Sequence, residues 1–192
     1  MAASRPYNME NMIMQIDERL SLASWDDRHV EQLPGVANNP KIAANMADRF
    51  PSPYSMKDAA HFVQQLKTLG NRTSWAIELD GILVGGIGLS LRTGSALHTA
   101  GLAYWVGEEF WRKGIASLAV KNVVVHAFEQ LALARIETTV FDWNHASSRV
   151  LEKCGFLKEG TLKSSFIKNG KIVSRHIFAA VSEKNFKFFE MN

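Results

Sequence analysis

The sequence predicts an α/β domain with a mixed, mostly antiparallel central sheet of about seven strands flanked by helices. Three observations carry this. Thr73–Leu79 and Ile82–Leu91 are β-rich runs separated by Asp80-Gly81, a dipeptide of the primed turns that close tight hairpins. Phe156–Ile167 and Lys171–Ala180 repeat the arrangement around Asn169-Gly170. Between the hairpins, Thr99–Val106, Gly114 to about Leu131, and Arg135–Phe141 read strand, helix, strand, which implies a right-handed crossover and a parallel pair.

The remaining elements follow in order. Arg19–Trp25 alternates apolar and polar positions and reads as a strand. Asp26 or Asp27 can cap a helix running to about Val36, and Asn39-Pro40 opens a helical stretch to about Arg49, stopped by Pro51-Ser-Pro53. Ser55 with Asp58 forms a capping-box signature for a helix through Leu69, ended by Gly70, with Phe62, Val63, Leu66 and Leu69 as its apolar stripe. Gly85, Gly86 and Gly88 lie inside a strand run; they mark either a bulge or close approach, or room for core aromatics. In the crossover helix Leu118, Val120, Val123, Val124, Ala127, Phe128 and Leu131 imply deep burial, and Ala146–Lys153 is a short helix stopped by Gly155.

Composition narrows the function classes. The 192 residues, 46% hydrophobic and 21% charged, suit one globular domain spanning 1–192, with a core of about 10–182 and short terminal extensions. No window approaches the roughly 18 apolar residues of a spanning helix, and Met9–Ile16 is too polar for a secretory core, so no membrane association and a cytoplasmic location are expected. The single Cys154, before Gly155-Phe156, excludes an internal disulfide and reads as a small buried apolar group. Six scattered histidines give no metal-ligand spacing, so no metal is expected. The net charge of +3 is uneven: residues 1–100 carry nine Lys and Arg against ten Asp and Glu, residues 101–192 thirteen against nine. No basic stripe with interleaved aromatics points to nucleic acid; an anionic small molecule is the simpler partner.

The chemistry concentrates where the strand ending at Val106 meets the crossover helix. The first amides of a helix lack internal partners and carry the positive end of its dipole, so they attract phosphate. Arg112 and Lys113 add charge there, and Gly114 lets the backbone approach a ligand closely. Taken alone, Trp111-Arg112-Lys113-Gly114 can equally be a surface turn with two solvated cations.

Strand, Trp111-Arg-Lys-Gly-Ile-Ala, long helix, strand and then Asn144-His-Ala-Ser147-Ser-Arg149-Val-Leu-Glu-Lys153-Cys-Gly155-Phe156 together resemble the GCN5-related N-acetyltransferase (GNAT) superfamily, and within it the ribosomal-protein N-terminal acetyltransferase (RimJ/RimL-like) group. The resemblance runs over nearly the whole chain. It implies the GNAT fold, acetyl-CoA as co-substrate, and backbone amides of Arg112, Lys113, Gly114, Ile115, Ala116 and Ser117 around the pyrophosphate. The family's loop usually begins with Gln or Arg, where this chain has Trp111. The strand before the loop is implied to splay from its parallel neighbour, so that backbone at Tyr104, Trp105 and Val106 meets the pantetheine arm; the Tyr104 and Trp105 side chains can equally be core. Asn144 and Ser147 match the family's Asn-x-x-Ser, with Ser147 placed to hydrogen-bond or protonate the departing thiolate, although a helix cap gives the same pattern.

Many relatives carry a tyrosine in the following helix where this chain has Leu151, which leaves the acid's task to Ser147 or water. Arg149 and Lys153 can reach the adenosine phosphates or simply face solvent, as Glu152 does. Glu108, Glu109 and Glu137 are candidate bases, Glu108 first, and each also reads as a surface carboxylate. Residues 38–55 are implied to line the acceptor cleft. The expected activity is acetyl transfer to a primary amine, a protein N-terminus or a small amine, by a monomer or homodimer. A non-catalytic acyl-CoA-binding domain is the alternative; the loop lacks the spacing of a nucleotide P-loop.

Overall fold

The computed structural model describes residues 13–70 and 73–183; the expected terminal extensions lie outside the described residues. Its elements are β1 (Ile13–Gln15), β2 (Leu20–Ser24), α1 (Arg28–Ala37), α2 (Pro40–Ala43), α3 (Met56–Thr68), β3 (Ser74–Leu79), β4 (Ile82–Leu91), β5 (Thr99–Val106), α4 (Ile115–Glu129), β6 (Arg135–Phe141), α5 (His145–Lys153), β7 (Leu157–Lys168) and β8 (Lys171–Val181). The strands form one sheet in the order β1-β2-β3-β4-β5-β6-β8-β7, eight rather than about seven. The additional strand is β1, three residues long at the edge.

Both hairpins close as expected, with positive φ at Asp80 and Gly81 and at Asn169 and Gly170, the geometry of a type I′ turn. The β5–β6 pair is parallel and every other pair antiparallel. Two apolar clusters lie on opposite faces. Trp75, Ile77, Leu102 and Ile136 pack beneath Val120 and Val123 of α4 and Leu151 of α5. Trp25, Ala76 and Leu83 pack beneath Leu33 of α1 and Ala59 and Val63 of α3.

Local signals explain most boundaries. Ser55 Oγ accepts the Asp58 N–H while Asp58 accepts the Ser55 N–H, a full capping box. At α1 the cap differs from expectation. Asp27 makes no side-chain cap bond and instead pairs with Lys67 of α3 at 2.7 Å, while Asp26 accepts the Arg28 N–H. The buried His29 ring then bridges outward: the Asp26 N–H donates to Nδ1, which puts the proton on Nε2, 2.8 Å from Glu78 of β3.

Three expectations are corrected. The helix after Asn39 is one turn, Pro40–Ala43, because the segment to Phe50 continues as turns. Leu69 is 69% exposed and caps α3 rather than lining it; Leu118 is 39% exposed on the outer side of α4. Gly85 and Gly86 realise both readings of the strand glycines. A Cβ on Gly85 would stand 2.4 Å from the Trp105 carbonyl oxygen, whereas one on Gly86 would meet the Trp105 and Trp25 indoles.

Candidate active site

The parallel strands meet only at Thr99–Arg135, Ala100–Ile136 and Gly101–Glu137. Beyond these pairs β5 stays on β4 and β6 on β8, so Leu102–Val106 and Thr138–Phe141 diverge. The gap opens at the residues expected to carry the pantetheine track. Backbone groups on its inner edges lack a ladder partner across it, a condition that favours a polar chain between them.

At the end of β5 a short 3-10 turn, Glu108–Phe110, leads into the basic loop. The Trp111 indole N–H donates to the Val106 carbonyl at 2.7 Å, pinning the loop to the strand and engaging one of the expected track oxygens. Arg112 and Gly114 both have positive φ, 64° and 81°, which curls successive amides toward one side. Among the described residues a Cβ on Gly114 would meet nothing within 4 Å, so they leave the space in front of the loop open. Leu118 donates the first intrahelical bond, to Gly114, leaving the Ile115, Ala116 and Ser117 amides at the N-terminus of α4. The Lys113 ammonium lies over the Phe110 ring at 5.3 Å.

Across the gap, Asn144 caps α5, its Oδ1 accepting the Ser147 N–H at 3.1 Å. The cap consumes the amide oxygen and leaves Nδ2. Ser147 Oγ lies 2.8 Å from the hydroxyl of Tyr104 on β5. Burial pushes the Tyr104 phenol up to about 12, against the opposing effect of its bond to Ser147, so it keeps its proton through neutral pH. Leu151 is fully buried in the core, and Arg149, Glu152 and Lys153 face solvent. The Cys154 thiol, pushed up by burial, donates to the Ser117 carbonyl and ties α5 to α4.

The carboxylates have other work. Glu108 accepts from Asn39 Nδ2 at 2.7 Å and pairs with Lys41; these bonds, Lys41 first, hold it below the ordinary glutamate range. An anion so stabilised is a weak proton acceptor. Glu137 bridges Arg92 at 3.0 Å and Arg135 at 3.2 Å, and Arg135 also pairs with Glu159. Glu109 is exposed after the gap.

Residues 38–55 arch over the ends of these strands. One foot is the Asn39–Lys41–Glu108 contact. The other is Asp48, which pairs with Lys168 at 2.8 Å and accepts the Asn169 N–H at 2.9 Å at the tip of the β7–β8 hairpin. Phe50 packs on Tyr54 and Trp105. Ala44 of this segment also lines an open groove of about 320 Å³ with Trp143, Lys168, Asn169, Lys171 and Val173.

Residues 19–157 match the acetyltransferase (GNAT) domain. The chain belongs to the GNAT family. It is 38% identical over 103 residues to the probable N-acetyltransferase YjcK of Bacillus subtilis, covering 54% of this chain and 57% of that protein. The matched stretch spans about half the length of this and other curated GNAT relatives. Mycobacterium smegmatis RimJ, solved with a CoA disulfide, superposes with a TM-score of 0.78 at 25% identity, covering 86% of this chain and 83% of that one. RimL, a ribosomal L7/L12 α-N-protein acetyltransferase solved with coenzyme A, gives 0.79 at 21% identity, covering 88% and 98%. At that identity RimL is a likeness of fold.

Within this GNAT domain, the structure brings the loop, the Tyr104–Val106 backbone, Asn144 and Ser147 to one gap. It adds three relationships that sequence reasoning missed: Tyr104 on Ser147, Lys41 on Glu108, and Asp48 on Lys168. Their partners lie 43, 67 and 120 residues apart, and no local pattern signals them. Among the described residues no helix is long and apolar enough to cross a membrane.

Proposed function

We propose that this domain transfers the acetyl group of acetyl-CoA to a primary amine by direct attack within a ternary complex. The observation that carries the reading is the gap between β5 and β6, which runs from an open helix N-terminus to the Ser147 hydroxyl. Amides of residues 112–117 bind the pyrophosphate, with Arg112 and Lys113 adding charge. Backbone at Trp105 and Val106 guides the pantetheine, and Asn144 Nδ2 faces the cofactor. That RimL and RimJ were solved with coenzyme A and with a CoA disulfide supports acetyl-CoA as the co-substrate.

The amine enters from the arch of residues 38–55. Its nitrogen forms the new C–N bond at the thioester carbonyl as the C–S bond breaks, and the amine proton leaves to water. Ser147 hydrogen-bonds the departing thiolate while Tyr104 donates to Ser147 Oγ. Glu108 holds Lys41 and Asn39 in the wall of the acceptor entrance, a positioning role. Most of the acceleration comes from holding the two reactants together. The acceptor is a protein N-terminus or a small amine, and the single reduced thiol suits a cytoplasmic setting.

Free-thiol release from acetyl-CoA, measured across N-terminal peptides, amino acids, polyamines and aminoglycosides, tests the reading. Amine-dependent release of one thiol per acetylated product is expected. Tight acetyl-CoA binding with no release for any amine would reduce the domain to an acyl-CoA binder.

A further inference from the structure

On the face of the sheet turned away from α4, four charged side chains link one to the next across five strands. Ala100 and Ile136 point into the cluster beneath α4, so alternation turns Thr99 and Gly101 of β5, and Arg135 and Glu137 of β6, to the other face. Arg92 joins them from the end of β4, its N–H donating to the Thr99 carbonyl at 3.0 Å. Its Nη2 donates to Glu137 Oε1 at 3.0 Å. Glu137 Oε2 accepts from Arg135 Nε at 3.2 Å, and Arg135 holds Glu159 of β7 through both Nη atoms, at 2.8 and 2.5 Å.

Each half of this series steps over one strand. Arg92 reaches Glu137 across β5, and Arg135 reaches Glu159 across β8. Two strand spacings are about 10 Å, so neither link is a neighbour contact that the ladder imposes. Gly101 lies between Ser90 of β4 and Glu137 of β6 and puts no side chain in the first path; among the described residues a Cβ there would find only Ser90, at 3.9 Å. Glu159 enters the second path from a bulge, the position that the β7–β8 register skips between Lys158 and Gly160.

The two links differ in what they join. Arg135–Glu159 stays within β6, β8 and β7. Arg92–Glu137 ties the β4–β5 side to β6, and it does so at Gly101–Glu137, the last of the three β5–β6 pairs before the gap. An attraction placed where a short ladder ends opposes any further separation of the two strands. The side chains are 54% and 25% exposed, so the pair is screened only in part.

Resting on the acetyl-CoA reading above, we propose that Arg92 and Glu137 are positioning residues for the cofactor: their ion pair fixes the point at which β5 and β6 separate, and so the width of the gap that receives the pantetheine arm. Glu137 acts through strand spacing and not as a proton acceptor.

Calorimetry of the full chain with acetyl-CoA, and no acceptor, tests this. Glu137→Gln and Arg92→Gln are each expected to weaken acetyl-CoA binding about two- to fivefold, the worth of one partly screened ion pair, and the double variant to weaken it no further. The sign for Glu137→Gln is decisive. Acetyl-CoA is an anion, so losing a negative charge would tighten it by field alone, whereas losing the clasp loosens it. Glu159→Gln removes the same charge from the same series but leaves the link over β5, and should keep affinity within about 1.5-fold. Tighter or unaltered binding in Glu137→Gln overturns the proposal, as do losses that multiply in the double variant or an equal loss in Glu159→Gln. So does a collapse of kcat in Glu137→Gln with affinity intact, which would make the carboxylate a base. An unmodified protein that binds no acetyl-CoA sinks the transfer reading and this one together; Glu137-dependent binding without acetylation of any amine sinks the transfer reading and keeps the clasp.

Discussion

The hydroxyl of Tyr104 lies 2.8 Å from that of Ser147, joining β5 to the first turn of α5 across the gap where β5 and β6 part. The phenol keeps its proton through neutral pH, so it can donate to Ser147 and free the serine proton for a sulfur. Tyr104→Phe is expected to lower kcat about two- to tenfold, the worth of one hydrogen bond, without altering acetyl-CoA affinity. Ser147→Ala is expected to lower it further. In the double variant the losses should not multiply; if they do, the hydroxyls act independently.

Gly114 sits at φ 81° facing space that the described residues leave open. Gly114→Val forces a β-branched residue into a left-handed conformation, costing about 1–2 kcal/mol, and puts its methyls where phosphate would lie. Calorimetry should show acetyl-CoA binding lost while circular dichroism shows the fold retained. Unchanged affinity removes the loop from the cofactor site.

Glu108 separates a base from a brace. As a brace for Lys41 and Asn39, its replacement by Gln should raise the acceptor KM more than it lowers kcat, and the pH–rate profile should keep its shape. Collapse of kcat together with loss of an acidic limb would identify Glu108 as the base.

Gly85 has no room for a side chain: the Trp105 carbonyl would be 2.4 Å from its Cβ. Gly85→Ala is expected to destabilise the protein by about 1–3 kcal/mol, read in urea midpoints, and to weaken acetyl-CoA binding because β5 must shift. The expected loss of stability with affinity intact would show that the strand does not shape the cofactor track.

Asp48 predicts an acid dependence. Its bond to Lys168, then the Asn169 N–H, holds its carboxyl below the usual aspartate value. A depressed native pKa means the stabilisation is complete above the ordinary value of about 4 and is lost as pH falls through the native one. Asp48→Asn should therefore lower the urea midpoint at pH 7, and the difference should shrink as pH falls below the ordinary value of about 4. A constant difference across that range would remove the Asp48 charge from the cause.

What the sequence disclosed and what it withheld divide by range. Asp80-Gly81, Asn169-Gly170 and the Ser55–Asp58 box act over two to four residues, so their elements were legible with near-correct ends. The loop at Arg112–Ser117 was legible because a helix N-terminus has its chemistry wherever it folds. Leu69 and Leu118 were misassigned because hydrophobicity marks a helix side without saying whether another element covers it. β1 escaped because a three-residue edge strand has no period to detect. The sequence around Tyr104 supports a backbone track or core packing; its hydroxyl contact with Ser147 depends on how α5 lies over β5, which residues 99–106 alone do not encode.

The parting of β5 and β6 also makes the sheet two plates, one of five strands and one of three, sewn by three residue pairs and spanned by α4. A ligand lying in the seam is then a splint as well as a reactant. Saturation at a hundredfold above Kd adds about 2.7 kcal/mol to stability, and here that gain acts where the plates are least joined. Protection from proteolysis on adding CoA should therefore concentrate along Leu102–Val106 and Thr138–Phe141, with the outer strands of each plate little changed.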